Sequence, residues 1–472
     1  MSRVRLIADR NRPYVIRHGS CAGGSASTPS DATPSSGPAT PPKQFIGEPP
    51  IRPYMHPATS SRLHHELRFN LRSALRHALG LVVLCLLLAL PNGGAKAQWI
   101  LQAGRMDQQI RRGVALIYNM DFSDAERVFD TVIAENPSHP AGYFYRGSVM
   151  FWRAITNPDN TTYDEQYRQW LGKAIDRADT LLQKNPKDIA GLFYKGGAIG
   201  MRARIYEYRV SSLDMMDIIR LILGDAKEGV GYLNQLEDII PDNSDVLFGR
   251  GIYNYYVEAE KEQNPAISGV ISTLFPTGNK AVGLQMLEMA AKNAVYAKTE
   301  AQFELMHIYY ALEKNYQRAY AMAQDLAVRY PNNVQFLHYF GFAAVTENMV
   351  GQYDSIYRVM LARAREKRDA YTIRQAREAM YFIGLAQMKR MGGNMDTALY
   401  YFYNSDLLSR TIEKNGDFDW WVTNTELYMG EAYDAKKLRK NAIEMYQRVL
   451  SLPDYNGAHA EAKRYLTEPY QR

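Results

Sequence analysis

Ala141-Gly142-Tyr143-Phe144-Tyr145-Arg146-Gly147 and, 49 residues further on, Ala190-Gly191-Leu192-Phe193-Tyr194-Lys195-Gly196 are two versions of one phrase. A third version, Val246-Leu247-Phe248-Gly249-Arg250-Gly251, follows. Each comes after a proline-bearing turn: Asn136-Pro137, Asn185-Pro186 and Pro241-Asp242-Asn243, with Pro331-Asn332-Asn333 as another of the kind. Self-similarity at a period of roughly 20–50 residues is the signature of a stacked repeat architecture. Working outward, small residues punctuate the chain at Gly113, Gly147, Gly196, Gly251, Gly341, Gly384 and Gly430, and His307 stands in the fifth of these eight places. In the last unit Leu438, Ala442, Ile443, Tyr446, Val449 and Leu450 fall at i, i+4, i+5, i+8, i+11 and i+12, one face of a helix. A unit with a single apolar stripe cannot bury it alone, so the units must stack.

These residues resemble the tetratricopeptide (TPR) family, whose unit of about 34 residues is a helix pair. That family places a small residue at position 8, another at 20, an aromatic near 24 and Pro at 32. The first unit matches with Gly113, Ala125, Phe129 and Pro137, the second with Gly147, Ala174 and Pro186, the third with Gly196, Gly229 and Pro241. The fifth departs at position 8 with His307 but keeps Tyr310, Tyr316, Ala319 and Pro331; the last has Gly430, Tyr433, Ala442 and Tyr446. The resemblance covers residues 104–456 and is to exported bacterial members. It implies an all-α, right-handed α-solenoid of about eight helix pairs, with Ala458 to Tyr465 as a polar capping helix. Position 8 is small because the two helices of a pair cross closely there.

The spacing between position-8 residues is uneven: 34, 49, 55, 56, 34, 43 and 46. Units 2, 3 and 4 therefore carry insertions, and in units 2 and 3 the downstream signature shifts with them, which places the extra residues between the two helices. Part of the third insertion, Gln263 to Lys280, contains Pro265, Pro276 and Gly278.

The chain has 472 residues, 46% of them hydrophobic, enough to bury a large core. The net charge of +6 is misleading. Residues 1–97 hold 12 Lys and Arg against 4 Asp and Glu, which leaves 44 basic and 46 acidic residues in 98–472. A field that attracts nucleic acid is not expected from that part. Residues 1–61 read as a disordered leader, rich in Ser, Pro, Gly, Ala and Thr from 20 onward. Residues 62–97 read as a signal peptide. A basic stretch with Arg68, Arg72 and Arg76 precedes an apolar run from Ala78 to Leu90, and Ala95-Lys96-Ala97 gives a small-x-small cleavage site. The run is shorter than the ~20 residues a bilayer-spanning helix needs. Met55 offers a translation start nearer this signal. We expect an exported, periplasmic product of residues 98–472. Cys21 and Cys85 both precede the cleavage site, so that product has no disulfide and no Cys-ligated metal.

No catalytic, cofactor-binding or metal-binding residue is assigned. His139, His307, His338 and His459 lie in different units, without a second ligand at helical spacing. No nucleophile elbow, Walker loop or dinucleotide fingerprint occurs. A hydrolytic enzyme would need a carboxylate pair assembled by the fold. Trp420-Trp421 suits either a helix start packed on its predecessor or stacking on a sugar; the latter belongs to a second function, a small-ligand or glycan-binding solenoid.

The first expectation is a non-catalytic adaptor or scaffold that binds a protein or peptide in the cell envelope. In the family, helix A lines the concave groove through positions 2, 5, 9, 12 and 13. Carried over, this gives Phe144, Ser148, Phe151 and Trp152 in unit 2, Phe193, Gly197 and Met201 in unit 3, and Phe248, Ile252, Tyr255 and Tyr256 in unit 4. Members that clamp a carboxylate have Lys at position 5; Phe144, Phe193 and Phe248 stand there and favour an apolar ligand. The insertion between Tyr206 and Gly229 carries Met215, Met216, Ile218, Ile219 and Ile222, a helical stripe suited to a partner or a peripheral membrane contact. The expected partner site is thus Phe144, Phe151, Trp152, Phe193, Met215, Met216, Ile219, Phe248, Tyr255 and Tyr256. The same insertion would alternatively plug the groove.

Overall fold

A computed structural model describes residues 100–101, 104–157, 160–205, 228–229, 231–232, 234–263, 265, 268–274, 277–413 and 420–472. All of these fall within the compact unit Pro57–Arg472. They are helical, with no strand among the described residues. The leader, the signal segment, and Met215, Met216 and Ile219 lie outside the described residues.

The helices pair in chain order. α1 (Arg105–Tyr118) packs on α2 (Phe122–Glu135), and α3 (Pro140–Thr156) on α4 (Asp164–Lys184). α5 (Ile189–Arg204) comes next, with helical residues 234–239 in the place of its partner. α6 (Ser244–Gln263) pairs with α8 (Lys280–Asn293), and the short α7 (Ser268–Leu274) lies in the insertion between them. Then come α9 (Lys298–His307) with α10 (Tyr316–Arg329), and α11 (Val334–Thr346) with α12 (Val350–Arg365). α13 (Ile373–Lys389) with α14 (Met395–Ile412), α15 (Trp420–Ala435) with α16 (Arg439–Ser451), and α17 (Ala458–Thr467) complete the series. This is an all-α helical repeat of TPR type, closed by a C-terminal helix.

The proline turns start helices because the residue two places after each proline is a cap. The His139 ring accepts from the Ala141 N–H at 3.2 Å, and the Asp188 carboxylate from the Gly191 N–H at 2.7 Å. The Asn243 side chain accepts from Asp245 and Val246, and that of Asn333 from Gln335 and Phe336. Each satisfies N–H groups that a helix start leaves without intrahelical partners.

The position-8 glycines sit where the helices of a pair cross. A Cβ on Gly341 would lie 2.6 Å from the Tyr357 ring, and one on Gly384 2.8 Å from the Phe402 ring. Gly113 faces Phe129 and Gly430 faces Tyr446 in the same way. Where the small residue is missing, the helix changes: directly after His307 the chain makes a π-helical turn, Ile308–Leu312. Seven residues after position 8, the turn between helices is left-handed at Met120, Lys314, Asn348 and Lys437, with φ of 61°, 52°, 53° and 60°. These four belong to units without an insertion at that turn.

The first and second units also touch the fifth and sixth. The Tyr118 hydroxyl donates to Glu300 at 2.8 Å, and the Asn333 amide donates to the Tyr118 carbonyl at 2.7 Å. The Tyr296 hydroxyl donates to Asp107. Trp152 lies between the rings of Tyr118, Phe303 and Phe336, at centroid distances of 5.5, 6.0 and 6.3 Å. Ion pairs Arg153–Asp369 at 3.2 Å and Arg368–Asp121 at 3.5 Å flank this core. An array whose units contact only their neighbours would have none of these.

Candidate partner groove

The ten residues expected to make one site divide into three groups. Phe144 and Phe193 come together through Tyr194, which sits between them at ring distances of 5.5 and 5.1 Å. Consecutive units place them side by side, and Gly197 leaves the space that the Phe144 ring occupies. Both phenylalanines are half-buried, whereas Tyr194 is fully buried, and burial raises its hydroxyl well above the ordinary tyrosine value. Phe193 also packs against Leu192, Leu236, Ile240 and Val246. Phe248 is half-buried too, but it packs on the separate cluster of α6, α8 and α9.

Phe151, Trp152, Tyr255 and Tyr256 form the second group, and they are core rather than surface. Phe151 is buried against Tyr167 at 5.9 Å. Trp152 is 3% exposed in the contact between units 2, 5 and 6. The Tyr255 hydroxyl donates to Glu313; burial first, and then that carboxylate, hold it above its ordinary value. The Tyr256 hydroxyl donates to Glu304 at 2.5 Å. All four lie at positions 12 or 13 of their units. There neighbouring or distant units of the same chain cover them, so they offer no free ring to a partner. Met215, Met216 and Ile219 are the third group, outside the described residues.

Beside the phenylalanines lies a buried ion pair. Arg250, on α6, reaches Glu237 at 3.1 Å, and both side chains are almost wholly buried. Burial pushes the Glu237 carboxyl up and the Arg250 guanidinium down, each opposed by the other's charge.

The histidines are spent separately. His139 caps α3, His338 bonds Glu378 at 2.7 Å, His459 bonds the Leu452 carbonyl at 2.8 Å, and His307 lies 3.4 Å from the Tyr256 hydroxyl. Among the described residues no three metal-ligating side chains converge, and no helix is long and apolar enough to cross a membrane. Trp420 and Trp421 begin α15 and pack on Tyr381 of α13, each at 5.3 Å. The Arg377 guanidinium lies 4.7 Å over Trp421, so this pair is used in helix packing.

Tyr118, Tyr194, Phe303 and Phe336 were not singled out in the sequence. Tyr194 had a signal, since it stands directly after Phe193 in the repeated phrase. The others had none, because their partners lie in distant units.

No protein-family model and no curated protein matches the sequence. Among solved structures the chain is similar to human IFIT1 in a dimer with m7Gppp-AAAA, at 11% identity over 78% of this chain and 86% of that one, with a TM-score of 0.35. It is similar to the TPR domain of P58(IPK) at 13% identity over 78% and 99%, TM-score 0.20, and to yeast Tom70 at 10% over 77% and 96%, TM-score 0.17. Likenesses this loose carry no argument about function. The repeat assignment stands on the helix pairs, the glycine crossings and the recurring left-handed turn.

Proposed function

We propose that the chain is a non-catalytic interaction scaffold of the cell envelope, exported by residues 62–97, and that Phe144, Phe193 and Phe248 receive an apolar segment of a protein partner. The supporting observation is that position 5 of helix A carries a half-buried phenylalanine in three consecutive units. Tyr145 and Tyr194, the next residue along in units 2 and 3, are buried in the packed face. A second row of large apolar rings at one frame position suits an extended or helical ligand lying along the units. Met215, Met216 and Ile219 belong to the same proposal, through the apolar pattern of their insertion. The histidines are taken up in structural contacts, which favours binding over hydrolysis.

Photocrosslinking in the native envelope tests this. With benzoylphenylalanine at position 193 or 248 we expect one discrete adduct, absent when the probe replaces Val328, which is 73% exposed. Phe193→Asp with Phe248→Asp should abolish capture while helicity and melting hold. Capture that persists in this variant overturns the site.

A further inference from the structure

The turns that join the two helices of units 6, 7 and 8 come out along one edge of the array. Met349 and Leu438 stand eight residues after Gly341 and Gly430, each directly after a left-handed residue. Each closes its turn with the same bond, from its N–H to the carbonyl five residues back. Met391 stands seven residues after Gly384, in a turn closed by the Gly393 N–H on the Arg390 carbonyl at 2.9 Å, with Gly392 left-handed. Ion pairs tie these turns side by side: Arg390 of unit 7 to Asp354 of unit 6 at 2.6 Å, and Lys436 of unit 8 to Asp396 of unit 7. The three apolar side chains face water: Met391 is 97% exposed, Leu438 42% and Met349 37%. Exposed apolar residues scattered singly are ordinary, but here three consecutive units repeat one at the same place. Elsewhere in the array that place differs: unit 1 buries Met120, and unit 5 has Lys314 and Asn315. The charge of the edge is one-sided. In 347–350, 389–393 and 436–440 six side chains are basic, and Glu347 alone is acidic. Asp354, Asp396 and Asp434 neutralise Arg390, Lys436 and Arg439. Lys437 and Lys440 are exposed and make no ion pair among the described residues.

We propose that this edge rests on an anionic membrane surface, with Met349, Met391 and Leu438 entering the headgroup layer and Lys437 and Lys440 against its phosphates. The occupant follows from shape and charge. A peptide or helix needs a continuous groove or face, whereas these apolar side chains are tips on separate turns, one per unit, with basic residues between them. Tips in a row meet a plane. The plane that takes apolar side chains and cations together is the interface of a bilayer carrying anionic lipid. Lysine stems lie along apolar surface while their charged ends stay among the headgroups. The inference does not depend on the Phe144, Phe193 and Phe248 face, which belongs to units 2 to 4.

Fluorescent labels on single cysteines read the contact. Met391→Cys, Leu438→Cys and, as a control, Val328→Cys are each made in the full chain carrying Cys21→Ser and Cys85→Ser. Val328 is 73% exposed in the last turn of α10, whereas the three turns stand at the starts of such helices. The vesicles are equimolar phosphatidylglycerol and phosphatidylcholine with brominated acyl chains, or brominated phosphatidylcholine alone. In the anionic vesicles we expect bromine to quench labels at 391 and 438 and to spare the label at 328. Quenching should fall in neutral vesicles and at high salt. Lys437→Glu with Lys440→Glu, added to the chain labelled at 391, should cut its quenching about fivefold or more, because two cations become anions. Helicity and melting should hold, since both side chains are exposed. Residues 62–97 could bring the chain to vesicles by themselves, so the comparison is between labelled positions rather than of binding as such. Equal quenching at 328 and 391, no quenching at 391, or quenching indifferent to the two glutamates overturns the membrane contact. So does a label at 391 that ignores the vesicles and responds to polyglutamate, which would assign the edge to an acidic peptide.

Discussion

Asn333 uses one side chain for two tasks, capping α11 with its oxygen and holding Tyr118 with its nitrogen, and it is fully buried. Asp is as good a cap as Asn but cannot donate. Asn333→Asp should therefore lower stability by about 1–3 kcal/mol through the unmet Tyr118 carbonyl and a buried charge, read as a lower urea midpoint with unchanged slope. Glycines separate by what they face. Gly430→Ala would press on Tyr446, which is held by its bond to Asp434 at 2.9 Å, and should cost ~1–3 kcal/mol as overpacking. Gly172→Ala, in α4 with open space around it, should gain ~0.5–1 kcal/mol from helix propensity. Parallel melts of the two variants check both signs. His139 adds a pH dependence. Burial lowers its pKa, and its ring nitrogen must stay unprotonated to accept from Ala141. The folded value is below the unfolded one near 6.5, so stability is full above about pH 6.5 and is lost as pH falls toward the folded value. His139→Asn keeps the cap without the titration, and its denaturation midpoint should vary less between pH 7 and 5.

At the scale of helices, the recurring left-handed turn is the feature with a direct test. Lys437 is exposed at φ 60°, a region that disfavours side chains and most strongly branched ones. Lys437→Val should cost about 1–2 kcal/mol. Lys437→Gly should be neutral or gain a few tenths, strain relief outweighing glycine's freedom in the unfolded chain. Chemical denaturation of the pair orders them. The helices themselves were legible because the pattern that forms them is local: the proline turn, the cap after it, the small residue at the crossing. Gly341 and Gly384 mark their crossings although their units match the family pattern weakly. His307 was legible as a departure, but not as a π turn. A bulky residue at the crossing forces some adjustment, and the pattern does not say which. The left-handed turn left no trace either, since Met, Lys and Asn share no chemistry that announces it.

For the whole molecule, the expected product begins at Gln98, and Ile100 and Leu101 are already buried. Mass spectrometry of protein recovered from the envelope should find Gln98 as its N-terminus; peptides from 62–96 in that product would count against export by cleavage. The expected position-5 residues Phe144, Phe193 and Phe248 are half-buried. Phe151, Trp152, Tyr255 and Tyr256 were misplaced, because what covers a groove position depends on other parts of the chain. Trp152 is covered by Phe303 and Phe336, about 150 and 180 residues away in the chain, a distance at which no periodicity speaks.

Repeat arrays ordinarily change length by gaining or losing a unit, since each unit meets only its neighbours. The seam between units 1 and 2 and units 5 and 6 removes that freedom from part of this chain. An extra unit between the second and the fifth would carry Asn333, Glu300 and Phe336 one place along. Tyr118 and Trp152 would then face a unit with other residues at its helix starts. Adding or deleting a unit within residues 105–346 would therefore break these contacts. The units from Ile373 onward, which the seam's hydrogen bonds do not reach, carry no such constraint.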